Sequence, residues 1–439
     1  MNLKNLKDFL VDRGCNQLFF KSLSPNDNSK NQVYLGGSFE VLNILPISNI
    51  ATEEAGDWER ERFKALLNFF WITEDGKISK APHAQLILYP KYPEVRFSGF
   101  LKGSEFPPSD LMTMRLADRI LFFSVSNKGE VLGYVAHPDS VIAKEVSKEL
   151  TFKEHGIFSV IELNVEKDNR GLLLSELDRI NKRGWIESKR LNSEGEILPC
   201  LSSNCGGYTL EAELGVTPNG FSEPDFLGWE IKQFGVRSFQ RIQSSVITLM
   251  TPEPTNGLYK TDGVELFVRT YGYNDKRGRE DRMNFGGIHR SNSIHPTTNL
   301  KLMLIGYDPI TKRIRNSNGK IALIDNKDNE AASWSFSSLL LHWNRKHNRA
   351  CYVPSMSERR DVLSYKFGNK IFLGLGTDFL LFLSQMDDGN IYYDPGIKLE
   401  NISSKPKVKK RSQFRVKSRY LPLLYKSSEL IDLNCISGK

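Results

Sequence analysis

At 439 residues, with 39% hydrophobic and 26% charged side chains, the chain is too long for one ordinary core and is expected to form two domains. No run of 18 apolar residues exists and the opening MNLKNLKDFLVDRG lacks the apolar core of a secretory leader, which excludes a helical span and points to the cytoplasm. A formal charge of +8 suits a partner with a phosphate backbone without demanding one, and five cysteines with no C-x-x-C are expected as reduced thiols.

In chain order, residues 2–13 predict a short amphipathic helix closed by Gly14. Leu18 to Lys21 and Gln32 to Leu35 read as strands around the polar loop SLSPNDNSKN, and Ala84 to Tyr89 as another. Val41–Ile50 and Phe63–Ile72 are apolar runs of unassigned type. Four prolines then punctuate the basic, aromatic segment YPKYPEVRFSGFLKGSEFPP. Strands at Arg119–Val125 and Val131–Ala136 are joined by Asn127-Lys-Gly as a hairpin. Many short strands separated by turn residues predict a β barrel or pseudobarrel.

Lys167-Asp-Asn-Arg-Gly171 is a polar break, giving domains at 1–166 and 172–439 with 167–171 as linker. Leu172–Lys182 predicts a helix ended by Gly184. Cys200 and Cys205 lie five apart in a polar loop and have no second pair with which to hold a metal.

The chemically loaded stretch is YTLEAELGVTPNGFSEPDFLGWEIKQFG, residues 208–235. Trp229 to Gln233 alternates, Trp and Ile on one face, Glu230 and Lys232 on the other, as a half-buried strand does. Asp225 has the opposite parity, and the Phe-Leu-Gly between them offers a kink to bring it round. Converging carboxylates make a hard-oxygen site suited to Mg²⁺, and a neighbouring lysine can position water or stabilise charge on phosphorus. Glu211, on a short helical pattern, offers a third carboxylate. The spacing alone also fits a solvated strand face with a local Glu–Lys pair.

Further on, Ser244–Met250 and Val264–Arg269 are apolar runs, and Leu300–Tyr307 and Ile321–Ile324 read as strands. A helix with a serine cap is expected in Ser333–Trp343, a second helix at Thr377–Met386, and a strand at Asn390–Tyr393. The alternation predicts an α/β domain around a mixed central sheet. The long polar segment from Tyr271 to Pro296, carrying His289 and His295, is expected as a solvated or DNA-facing loop. In SSKPKVKKRSQFRVKSRYLPLLY, Phe414, Val416 and Tyr420 interleave with Arg415, Lys417 and Arg419, as in a strand with a basic face.

Residues 208–235 resemble the active site of the PD-(D/E)xK nuclease superfamily, in particular the MvaI/BcnI restriction endonucleases and their cousin, the mismatch-repair nickase MutH. Those enzymes share a Glu on a helix, then an Asp, then E-x-K on the next strand. The resemblance implies that Glu211, Asp225, Glu230 and Lys232 are catalytic, with Asp225, Glu230 and the carbonyl of Ile231 holding Mg²⁺. It continues through ITLMTPEPTNGLY and implies that Arg415, in a matching Phe-Arg, reads a base edge. The family's histidine-rich lead is replaced by Lys407-Val-Lys-Lys-Arg, and an Asp and an Arg of the preceding strand by Tyr392 and Asp394. The N-terminal third resembles the EcoRII-type effector domain, a DNA-binding pseudobarrel shared with the plant B-three domains. By that likeness, residues 24–34 and 91–102 are two DNA-gripping arms, with Lys91, Arg96 and Lys102 as contacts, beside Arg415 and Arg419 in the other domain. Together these imply a monomeric, effector-requiring type II restriction endonuclease cutting double-stranded DNA at a CC(W)GG-like site, with one target copy per domain. A MutH-like nickase and a non-catalytic DNA-binding regulator are the competing readings.

Overall fold

The computed structural model describes all residues except 26–31, 48, 54–61, 90–93, 149–150, 164–168, 203, 218–223, 360 and 436–439. The chain divides into two units, Met1–Lys167 and Asp168–Lys439.

The first unit opens on the helix Leu3–Val11, whose start is fixed by the Asn2 side chain accepting from Asn5 N–H and whose buried face is Leu3, Leu6 and Leu10. A seven-stranded sheet runs in the order Lys153–His155, Phe158–Glu162, Gln17–Leu23, Arg119–Val125, Val131–Ala136, Phe69–Ile72, Ile78–Lys80. All its pairings are antiparallel except Val131–Ala136 with Phe69–Ile72. A five-stranded antiparallel sheet is ordered Gln32–Tyr34, Glu94–Ser98, Gln85–Tyr89, Arg62–Leu66, Ile50–Glu53. Phe97 of the smaller sheet packs on Phe69 and Phe123 of the larger, with ring centroids 4.9 and 5.6 Å apart, so the core lies between the two. The 119–136 hairpin turns at Ser126–Glu130 with Gly129 at φ 74°. Arg119 is fully buried, and its guanidinium donates to the carbonyls of Leu111, Leu116 and Ser24.

The second unit is mixed α+β. Its six-stranded sheet runs Trp185–Glu187, Leu363–Phe367, Arg349–Arg359, Lys370–Leu375, Ser427–Asp432, with Glu230–Gly235 also paired to Arg349–Arg359. That last pairing is parallel, Glu230 opposite Ala350, and the others are antiparallel. Helices Asn169–Lys182 and Cys205–Glu213 cover one face, burying Leu173, Leu177, Ile180 and Leu210 against Ile231, Cys351, Val353 and Leu373. A three-stranded antiparallel sheet joins Val246–Met250, Phe414–Lys417 and Ile391–Tyr393.

Several expectations shift. The first helix begins at Asn169, inside the stretch read as linker. The serine cap is Ser335, whose hydroxyl accepts from Ser338 N–H, because Glu330–Ser335 is a strand and Ser333 pairs with Ala322 in its ladder. Val264–Tyr271 is a helix. The polar segment 271–296 holds the strands Tyr273–Asn274 and Arg282–Gly286, and His289 is core, stacked on Phe285 and His295 and pushed down to a pKa of about 3 by burial. Cys200 and Cys205 form a disulfide rather than reduced thiols, since the chain folds back through Ser202, whose carbonyl accepts from Cys205 N–H at 3.3 Å. Among the described residues no helix is long and apolar enough to cross a membrane.

Candidate active site

A two-residue turn assembles the site. Phe226 and Trp229 exchange both backbone hydrogen bonds, at 3.0 and 2.8 Å, around Leu227 and Gly228. Both central residues have positive φ, 49° and 82°, as a type I′ hairpin turn requires. The reversal sets Asp225 against the start of the Glu230 strand, and Asp225 Oδ2 accepts from Ile231 N–H at 2.9 Å. The kink anticipated from Gly228 is therefore a full hairpin turn, and it overcomes the opposite parity of Asp225.

Glu230 does not sit on a solvated face. It is 1% exposed, with Oε1 bonded by Lys232 Nζ. A second cation that sequence reasoning did not single out, Lys346, places Nζ 3.5 Å from the same oxygen. Lys346 lies in the last turn of the helix Phe336–His347, and the register of Glu230 with Ala350 lays that helix end beside the carboxylate. Nothing in the spacing links positions 232 and 346; the only signal is a lysine in a last helical turn just before a strand. Glu230 Oε2 is buried and, among the described residues, has no hydrogen-bond partner. Burial is the largest influence on this carboxyl and raises its pKa to about 7, against the pull of Lys232. Glu211, on the helix Cys205–Glu213, feels Asp225, Lys232 and Lys346; its carboxyl is raised by burial first and by Asp225 next. Glu211, Asp225, Glu230 and Lys232 thus form one electrostatically coupled group, with Lys346 as a fifth member.

The residues fit a divalent cation on the donor chemistry. An unpaired buried carboxylate oxygen is costly, and a cation facing Glu230 Oε2 would satisfy it. Among the described residues no set of three His, Cys, Asp or Glu side chains is grouped to hold a metal. The protein's share would be the carboxylates of Asp225 and Glu230 with the Ile231 carbonyl, an incomplete shell of the sort Mg²⁺ fills with water and substrate phosphate.

The DNA-contact candidates fall elsewhere. Arg415 pairs in register with Thr248 and Tyr392; its Nη1 donates to Asp394 Oδ2 at 2.6 Å and its Nε to Thr248 Oγ1 at 3.2 Å. Arg419 is exposed and donates to Tyr420 Oη at 2.7 Å. In the first unit Arg96 stands opposite Tyr34 and is ion-paired with Glu94, and Lys102 is exposed. Lys91 and residues 26–31 of the other arm lie outside the described residues.

Coupled carboxylates at a strand end, flanked by lysines, suit an enzyme that handles phosphodiesters, and the chain is a site-specific deoxyribonuclease. It belongs to the MvaI/BcnI restriction endonuclease family, whose model matches residues 174–425, more than half of the sequence. Among solved structures it is similar to restriction endonuclease MvaI in complex with a cognate DNA substrate, at 20% identity and a TM-score of 0.45, over 60% of this chain and 99% of that one. It is also similar to MvaI in the absence of DNA, at 19% identity and a TM-score of 0.34, over 61% and 99%. No relative matches among curated protein sequences.

Proposed function

We propose that this type II restriction endonuclease uses Mg²⁺ to hydrolyse double-stranded DNA at a CC(W)GG-like site, leaving 5′-phosphate and 3′-hydroxyl ends. The observation that carries the reading is the buried Glu230 carboxylate, one oxygen held by Lys232 and Lys346 and the other without a partner among the described residues. Asp225, Glu230 and the Ile231 carbonyl would hold the cation. A divalent cation bound there would supply Lewis-acid polarisation of the phosphate. Asp225 is kept in place by Ile231 N–H. Lys232 orients the attacking water, Lys346 balances the charge on Glu230, and Glu211 supports the water or the cation. Hydrolysis adds the water oxygen to phosphorus and breaks the bond to the 3′ oxygen, which leaves protonated.

Arg415, braced by Asp394 and Thr248, reads a guanine edge, and Arg419 contacts the backbone. We read the first unit as an effector pseudobarrel that binds a second copy of the target through Lys91, Arg96 and Lys102. The enzyme would work as a cytoplasmic monomer. Digestion of plasmid with Mg²⁺ tests this against the competing readings. Discrete double-strand fragments are expected from the wild type and none from Asp225→Ala, which should still bind DNA. Nicks alone would mean a MutH-like nickase, and intact plasmid a non-catalytic DNA-binding regulator.

A further inference from the structure

Strand parity builds a platform on the sheet Val246–Met250, Phe414–Lys417, Ile391–Tyr393. Register places Thr248, Arg415 and Tyr392 in one row. Their neighbours Phe414 and Tyr393 point to the opposite face and pack on Trp334, with centroids 5.1 and 4.6 Å away. The row continues past the sheet edge. His289 and Tyr393 exchange backbone hydrogen bonds at 2.8 and 3.0 Å, which sets Arg290 beside Tyr392. The Arg290 guanidinium carbon then lies 5.0 Å from the centroid of the Tyr392 ring.

The two arginines of this row are in different states. Arg415 already donates from Nη1 and Nε to Asp394 and Thr248. Arg290 is half-buried and its guanidinium has no hydrogen-bond or ion-pair partner among the described residues. Asp394 is engaged by Arg415 and does not serve it. A guanidinium held over an aromatic ring is restrained by the cation–π attraction while its N–H donors stay free. A mobile charge is enough for a phosphate; a fixed fork matters where direction is read. We propose that Arg290 is a second specificity-determining residue, its fork donating to O6 and N7 of a guanine in the major groove, at a base pair other than the one Arg415 contacts. This rests on the nuclease reading given above.

The test uses full-length wild type, Arg290→Ala, Arg290→Lys and Arg415→Ala. Cleavage and binding are measured on the duplex that the wild type cuts fastest and on its single-base-pair variants, at two salt concentrations. Arg290→Ala should lose roughly 5- to 150-fold of discrimination at one G·C pair, and Arg415→Ala a similar factor at a different pair. Arg290→Lys, which keeps the charge but not the fork, should lose that selectivity while retaining the wild-type salt dependence. Loss shared equally by every duplex with a salt slope lower by about one would make Arg290 a phosphate contact and overturn the proposal. Unchanged selectivity in Arg290→Lys, or an effect at the same pair as Arg415, would overturn it too. If the wild type binds its duplexes selectively but cuts none, the nuclease reading fails, and the binding comparison still decides the role of Arg290.

Discussion

Glu230 is a buried carboxyl whose ionised form burial disfavours. Its folded carboxyl keeps a proton up to about pH 7, whereas in the unfolded chain it ionises near 4.5. Across that window the folded state binds more protons, so in metal-free protein this residue makes stability fall as pH rises. Glu230→Gln should remove the slope and raise stability at pH 8 by on the order of 3 kcal/mol in the presence of a chelator, while abolishing cleavage. Thermal melts of both proteins between pH 5 and 8 check this; a parallel pH dependence would show that Glu230 does not titrate there. Lys346 lowers the same carboxyl. Lys346→Ala should therefore push the window to higher pH in the chelated protein, and Lys346→Arg should leave it nearly in place. An unmoved window in Lys346→Ala would mean that the 3.5 Å pair carries no coupling.

Between residue and sheet stands the turn that delivers Asp225. Gly228 has φ 82°, and a Cβ added there meets nothing within 4 Å, so substitution costs backbone strain alone. Gly228→Ala is expected to destabilise by about 1 kcal/mol and, by loosening the turn, to slow cleavage more than it weakens DNA binding. Leu227 occupies the left-handed region without the excuse of glycine. Leu227→Asn should be neutral or stabilising by about 0.5–1 kcal/mol, because asparagine tolerates this region and is favoured in such turns. The denaturant midpoint should fall for Gly228→Ala and hold or rise for Leu227→Asn; a fall in both would deny the turn its strained geometry. The turn also marks the limit of what sequence conveys. The alternation Trp229–Gln233 makes the strand and the Glu–Lys face legible, and Asn127-Lys-Gly makes the 119–136 hairpin legible, since local periodicity and turn chemistry govern both. A leucine at positive φ contradicts local preference, so Phe-Leu-Gly read only as a kink. Lys346 was invisible because its approach depends on a parallel pairing between strands more than a hundred positions apart. The serine-rich run from Ser333 offers more than one serine cap, and only the ladder of Ser333 to Ala322 marks Ser335 as the true one.

At the scale of the molecule the question is why a nuclease unit with its own arginine-bearing platform is joined to a second, β-rich unit. The whole coupled group of Glu211, Asp225, Glu230, Lys232 and Lys346 lies within Asp168–Lys439, as does the platform of Arg290 and Arg415. The fragment 168–439 should therefore cut DNA by itself. If the first unit holds another copy of the target, tethering raises the effective concentration of DNA at the nuclease only where geometry lets both engage. Full-length protein should then cut two-site plasmid faster than one-site plasmid, and a short duplex carrying the target should stimulate it in trans. The fragment should show neither preference nor stimulation. Should the full-length enzyme be indifferent to site number and to added duplex, while binding DNA more tightly than the fragment, the first unit is a tether and the effector assignment falls. A gain in affinity without a gain in site-number dependence separates the two, because simple tethering strengthens every encounter alike, whereas an effector must respond to the second copy.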